Sequence, residues 1–273
     1  MAPGAHGLIA DEVSTDADLE RRFGGLARLY GPDGAARIRN AHVAIAGVGG
    51  VGSWAAEALA RSGIGSLTLI DLDHVAESNV NRQVHATSAT LGQAKVQAMR
   101  ERIAGIHPGC RVHCVEDFVT PDNWPALLNG SIDAVIDAVD QVRAKAAIAA
   151  RCMERTVPLI TVGAAGGKRF AHKVEIDDLA VVTHDPLLAQ LRYRLRKEFG
   201  AARGDKRIGV NCVFSRESVA PPDAACVVEG DGSLNCHGYG SVVSVTATFG
   251  LCAAGWLLDQ LANGRRKRQK NTL

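Results

Sequence analysis

The chain has 273 residues, 47% of them hydrophobic and 22% charged, with a formal net charge of +2. That is the balance of a globular protein with a sizeable core, in one large domain or two small ones. Overall charge names no partner, and seven cysteines (110, 114, 152, 212, 226, 236, 252) without a C-x-x-C pair argue against a disulfide framework or a structural zinc site. Reduced thiols in the cytoplasm fit that scatter best.

The opening residues "MAPGAHGLIADE" lack the charged start and long apolar run of a signal peptide. Residues 1–40 are expected to be an N-terminal helical segment, with Asp16 as a cap and breaks at Gly24-Gly25 and Gly31-Pro32. Next, "HVAIAGV" reads as a strand ending in glycines. A helix over Ser53 to Ser62 places Ala55, Ala58 and Leu59 on one face, and "SLTLIDLD" is a second strand. "GQAKVQAMRERIAGIHPG" is a helix stopped at His107-Pro108-Gly109. A strand in "CRVHCVEDFV", a turn in "NWPALL" and an apolar strand in "DAVIDAVD" follow. The helix "RAKAAIAARCMERT" and the strand "PLITVGAAGG" complete this run. The alternation predicts an α/β class protein, a Rossmann-like and mostly parallel sheet with helices on both faces, its core spanning 41–167.

Residues 168–262 are expected to complete the fold. They hold a strand in "HKVEIDDLA", a basic helix in "DPLLAQLRYRLRKEFG" and another strand in "GVNCVFS". A long loop, "SVAPPDAACVVEGDGSLNCHGYGS", is rich in Gly, Pro, Ser and Asp, and loops of that length are usually functional or disordered. The 18 uncharged residues of "SVVSVTATFGLCAAGWLL" approach the lower limit of a membrane span. Their hydroxyls and glycines favour a buried helix of the core or of a dimer interface instead. The tail at 263–273 carries Arg265, Arg266, Lys267, Arg268 and Lys270, and reads either as a solubilising end or as a mobile arm for phosphates.

Gly47-x-Gly49-Gly50-x-Gly52 follows a strand and opens a helix. Glycines there let the backbone approach phosphate, and the helix N-terminus supplies N–H groups. Asp71 ends the second strand, where a carboxylate accepts hydrogen bonds from a ribose. These features predict a nucleotide site without choosing NAD over ATP. The next segment favours ATP. Asn79, Asn81, Arg82, Gln83 and Lys95 crowd polyphosphate-binding groups after the ribose carboxylate, and Arg82 and Lys95 suit a departing pyrophosphate. Asp140 ends "DAVIDAVD" at a strand C-terminus and is expected to hold the Mg²⁺ that escorts ATP, with Asp137 as the structural competitor.

The segments "GVGGVGSWAAEALARSGIGSLTLIDLDHVAESNVNRQ", "GQAK" and "VIDAVD" resemble the ubiquitin-activating-enzyme-like superfamily of ThiF, MoeB and HesA. Within it, "RFGGLARLYG", "DFVTPDNW", "GVNCVFS" and "VTATFG" are similar to the tRNA threonylcarbamoyladenosine dehydratases, over roughly residues 20–260. The resemblance implies adenylation of a carboxylate by ATP. In those dehydratases it is the threonyl carboxylate of N6-threonylcarbamoyladenosine, followed by ring closure with net loss of water. It also implies that Gly47 to Gly52 cradle phosphate and that Asp71 binds ribose. Arg82 and Lys95 face the triphosphate, Asn79 and Gln83 orient it, and Asp140 serves Mg²⁺ and the reaction. A homodimer is implied too, in which Arg22 or Arg28 of "RRFGGLAR" reaches a partner's phosphates. Cys236, beside His237, is a candidate nucleophile or sulfur acceptor, with a cysteine-desulfurase sulfur-relay partner. The segment "KRFAHK" after "GAAGG" departs from the family pattern and receives no role.

A surface for tRNA is expected from Arg192, Arg194, Arg196, Lys197, Arg203, Lys206 and Arg207 together with Lys168, Arg169 and the tail. The rival readings are an activator of a ubiquitin-like sulfur carrier protein, an NAD-dependent oxidoreductase, and a non-catalytic scaffold with a vestigial site.

Overall fold

The computed structural model describes residues 18–264, apart from 125, 129, 205 and 222–238. Two helices, α1 (Leu19–Phe23) and α2 (Gly25–Asn40), precede the sheet. Asp18 caps α1 through the Arg21 N–H, whereas the cap expected at Asp16 lies outside the described residues. The helix is broken at Gly31-Pro32 as expected: Gly31 adopts φ +73° and ψ 163°, outside the helical region, and a second helical stretch then runs to Asn40.

The strands are β1 (His42–Ala46), β2 (Ser66–Ile70), β3 (Arg111–Val115), β4 (Ala134–Asp137), β5 (Leu159–Val162), β6 (Val174–Asp178) and β7 (Asn211–Ser215). They form one sheet in the order β3-β2-β1-β4-β5-β7-β6. Among the described strands only β6 runs antiparallel, on the edge against β7. The inner strands are buried on both faces, which is why "VAIA", "LTLI" and "AVID" read as unbroken apolar runs rather than as alternation.

One face is covered by α3 (Gly52–Arg61), α4 (Lys95–Ile106) and α7 (Val243–Asn263). The other is covered by α5 (Val142–Arg155) and α6 (Pro186–Glu198). Helix α7 is long and apolar enough to cross a membrane, but Val245, Phe249, Ala253 and Leu257 line one side of it and are fully buried in the core. Its Gly250 touches the start of α3 so closely that a Cβ would lie 2.4 Å from the Val51 carbonyl oxygen. This is a core helix, one of the two soluble roles expected for the segment.

β1 is flanked by β2 on one side and β4 on the other, so successive crossovers leave it in opposite directions. Open parallel sheets bind ligands in the crevice that such a reversal leaves at the strand C-termini.

His85, on the loop between β2 and α4, is 2% exposed, and both its ring nitrogens lack a hydrogen-bond partner among the described residues. Burial, assisted by the cations of Lys95 and Arg102, lowers its pKa from 6.5 to about 4. The unfolded chain therefore takes up a proton below pH 6.5 that the native ring refuses until about pH 4. Between those limits stability should fall by roughly 3 kcal/mol as the pH drops. Urea unfolding across this window should show the loss, and His85→Phe should remove it. An identical pH dependence in that variant would contradict the assignment.

Candidate active site

The crevice is a cavity of about 890 Å³ at the C-terminal ends of β1, β2, β4 and β5. Its first wall is the glycine turn. Gly47 adopts φ +85°, in the left-handed region, and a Cβ there would meet the Ala138 carbonyl oxygen at 2.8 Å. At Gly52 a Cβ would sit 1.8 Å from the Gly47 carbonyl oxygen, so no larger residue closes this turn. Gly47, Gly49 and Gly50 line the cavity, whereas Gly52 lies behind them as the first residue of α3.

Asp71 holds the turn in place. One carboxylate oxygen accepts the Val48 N–H at 2.7 Å, and the other accepts the Asp73 N–H at 3.0 Å. Burial pushes its pKa up, while Lys95 and the two amides pull it back. A carboxylate offers about four lone-pair sites, so two bonds leave capacity for ribose hydroxyls.

Lys95 opens α4 and is buried at the cavity wall. Its ammonium is 2.6 Å from Asp73 and 3.9 Å from Asp71. The sequence reading missed Asp73. The signal was there, since the i, i+2 pair in "DLD" puts two carboxylates at one strand end.

Arg82 lies on the turn after β2. Its carbonyl accepts the Trp54 indole N–H at 2.9 Å. Its guanidinium donates to the Ser78 carbonyl at 2.5 Å and to Asn81 Oδ1 at 3.0 Å, and meets no carboxylate among the described residues. The side chain packs along the glycine turn, where a Cβ at Gly50 would lie 3.3 Å from it. Asn79 also lines the cavity, but its Oδ1 accepts the Ala76 N–H at 3.0 Å and so braces the turn. Gln83 is buried at the cavity wall with its Oε1 unpartnered among the described residues. Asn81 faces away and donates to the Ser241 carbonyl at 3.2 Å.

β4 ends at Asp137, so Asp140 does not end the strand as expected but lies on the loop three residues beyond it, and the two aspartates divide. Asp137 points into the core, where its carboxylate lies 3.1 Å from the Lys145 ammonium and accepts the Thr161 hydroxyl. Asp140 stands exposed on the cavity wall, with no hydrogen bond or ion pair to the described residues.

Beyond Asp140 the cavity continues over Gly163 to Gly166, Leu187, Val219 and Tyr239. Buried Asp185 sets this second wall. It accepts the Ala164 N–H and the Leu188 N–H, both at 2.9 Å, and thereby ties the end of β5 to the start of α6. Burial pushes the pKa of its carboxyl up, and these bonds oppose that. The sequence reading gave "DPLLAQLRYRLRKEFG" only as a basic helix; the bond from Ala164 is a long-range contact.

The sequence model of the ThiF family matches residues 23–273. The chain belongs to the ThiF family. It is 46% identical to the tRNA threonylcarbamoyladenosine dehydratase of Escherichia coli (strain K12), over 91% of this chain and 96% of that one. It is 43% identical to the dehydratase of Haemophilus influenzae, over 89% and 94% of the two chains. The crystal structure of the E. coli dehydratase in complex with ATP superposes with a TM-score of 0.82, at 44% identity, covering 92% of this chain and 98% of that one.

Neither Arg22 nor Arg28 lines the cavity: Arg22 donates to the Ile106 carbonyl at 2.6 Å, and Arg28 is exposed on α2. Cys236 lies outside the described residues, as do Cys226, His237 and the basic tail.

The basic surface is smaller than the sequence implied. Lys168 is only 2% exposed, its ammonium held by the carbonyls of His184, Ser215 and Glu217 at 2.7–3.2 Å, so it is no part of any surface. Arg192 and Arg196 are spent on backbone carbonyls of their own neighbourhood. Arg194 pairs with Glu198 and Arg207 with Asp178. Lys197, Arg203 and Lys206 remain exposed, with the Lys197 ammonium 5.6 Å from the exposed Tyr193 ring.

Proposed function

We propose that this chain is an ATP-dependent tRNA threonylcarbamoyladenosine dehydratase of the cytoplasm. The observation that carries the reading is a single cavity joining a phosphate-type glycine turn, Asp71, the uncompensated Arg82 and the free carboxylate of Asp140, in a chain that matches named dehydratases over nine-tenths of its length. Its volume is at the upper end for small-molecule sites, which suits ATP with a second group beside its α-phosphate.

In this reading the Val48 amide and the glycine turn hold phosphate, and Asp71 accepts the ribose hydroxyls. Arg82 binds the β- and γ-phosphates. Lys95 exchanges Asp73 for phosphate oxygen, and Gln83 orients the triphosphate by donating from its amide Nε2. The threonyl carboxylate attacks the α-phosphate, pyrophosphate leaves, and Arg82 and Lys95 stabilise the charge that develops on it. An atom of the ureido group then attacks the activated carbonyl, AMP departs with the carboxylate oxygen, and the ring closes with net loss of water. The cavity's task is positioning and charge stabilisation. Asp140 fits a Mg²⁺ ligand, because Mg²⁺ favours one or two carboxylates with substrate phosphates and this carboxylate has no competing partner among the described residues. Such an ion would neutralise phosphate charge.

The resemblance also supplies a homodimer with Arg22 or Arg28 reaching a partner's site, a nucleophilic Cys236, and sulfur delivery by a cysteine desulfurase. These stay with the proposal as features carried from the family. Exposed Lys197, Arg203 and Lys206 supply phosphate contacts for tRNA.

Pyrophosphate release separates the readings. With ATP and Mg²⁺, release should depend on tRNA bearing threonylcarbamoyladenosine and be absent with unmodified tRNA. Release driven instead by a small carrier protein with a free C-terminal glycine would overturn the reading in favour of carrier-protein activation.

A further inference from the structure

Of the segment "KRFAHK" only Lys168 and Arg169 were expected on a tRNA surface, and the geometry gives the rest of it a role. It leaves the cavity wall at Gly166 and is fixed at every step. The Gly167 N–H donates to the Gly240 carbonyl at 3.0 Å, and the Ala220 N–H donates to the Gly167 carbonyl at 2.9 Å. Gly167 adopts φ +71°, and a Cβ there would strike Val219 at 2.6 Å. Lys168 is plugged into three carbonyls. The Glu217 carboxylate accepts the N–H groups of Arg169 and Phe170 at 2.9–3.1 Å. A loop held this firmly has little backbone freedom left to lose on binding.

What it presents outward is an aromatic ring among cations. Phe170 is 46% exposed. The Lys173 ammonium sits 4.8 Å from its centroid, and the His172 ring lies 5.7 Å away, tilted by 49°. Arg169, His172 and Lys173 are all exposed. Of the nearby carboxylates, Glu175 pairs with Arg216 at 2.9 Å and Glu217 is turned onto backbone amides, so neither is an ion-pair partner of the exposed cations. Neither Arg169 nor Lys173 forms an ion pair among the described residues. Phe170 lies four positions along the chain from the cavity-lining Gly166, a span of at most about 14 Å.

We infer that Phe170 is a stacking platform for an unpaired base next to the nucleoside in the cavity, with Arg169 and Lys173 on the adjoining phosphates. Specific RNA recognition targets splayed loop bases stacked on aromatic rings, with cations along the backbone, and this loop offers both beside the active site. The inference rests on the dehydratase reading, since it takes the substrate to be an RNA loop.

The test is steady-state kinetics with ATP, Mg²⁺ and tRNA bearing threonylcarbamoyladenosine. Phe170→Ala should raise KM for the tRNA about tenfold, the usual order for one stacked base, with KM for ATP unchanged. Phe170→Trp should restore it, which a purely structural role would not predict. Lys173→Ala should lower the slope of log affinity against log salt by about one. An unchanged KM for tRNA in Phe170→Ala overturns the platform. If the wild-type enzyme consumes no tRNA at all, the dehydratase reading fails separately. The platform is then judged by fluorescence anisotropy on an anticodon stem-loop: weaker binding by Phe170→Ala sustains it, and equal binding overturns it.

Discussion

Arg82→Ala should lower kcat for water loss from threonylcarbamoyladenosine tRNA by about 10²–10³-fold, the usual effect of deleting one donor aimed at developing charge. Its guanidinium has no carboxylate partner among the described residues and contacts only the Ser78 carbonyl and Asn81. The fold leans on this residue's backbone, through the Trp54 indole on its carbonyl, and the variant keeps that bond. Thermal unfolding should therefore shift little while turnover collapses. Arg82→Lys should recover only part of the rate, since an ammonium keeps the charge but not the fork that grips two phosphate oxygens. Wild-type turnover in Arg82→Ala would remove Arg82 from the mechanism.

Lys145→Met should produce the largest loss of stability. Lys145 and Asp137 are both 0% exposed, 3.1 Å apart, and the ammonium also donates to the Val139 carbonyl at 2.8 Å. Deleting one member of a buried pair leaves a charge without compensation, at about 3–5 kcal/mol. For a chain of this size that is a fall in Tm of roughly 10 °C. Because Val139 lines the cavity next to Asp140, activity should fall as well. The double variant Lys145→Met with Asp137→Asn should regain much of the stability, since no buried charge is left alone. A calorimetric Tm for Lys145→Met equal to that of the wild type would contradict this reading of the pair.

How much was legible in the sequence depends on how local each feature is. The α/β alternation was readable because strands buried on both faces are apolar runs and the helices between them carry a periodic face. The first wall of the cavity was readable too, because Gly47 to Lys95 form one continuous strand, turn, helix and strand with the loop that follows. The second wall was not. Asp185, Val219 and Tyr239 reach it through contacts between distant segments, and no spacing rule encodes them.

Charge was the most misleading signal. Composition counts cations but not where they point, so Lys168 was grouped with a surface although carbonyls enclose it. Its neighbour Arg169 is exposed as expected, and Phe170, His172 and Lys173, which had been given no role, stand exposed with it beside the site. Helix α7 shows the same limit. An apolar segment of that length suits a bilayer or a core, and only packing against α3 distinguishes them.

The central claim is that ATP drives loss of water from threonylcarbamoyladenosine in tRNA. It is tested most directly by mass spectrometry of the nucleosides after incubation of modified tRNA with the enzyme, Mg²⁺ and either ATP or NAD. The account predicts loss of one water with ATP, none with NAD, and a loss slowed about 10²–10³-fold with Arg82→Ala under ATP. An unchanged nucleoside under ATP, from an enzyme that still binds ATP, would contradict it.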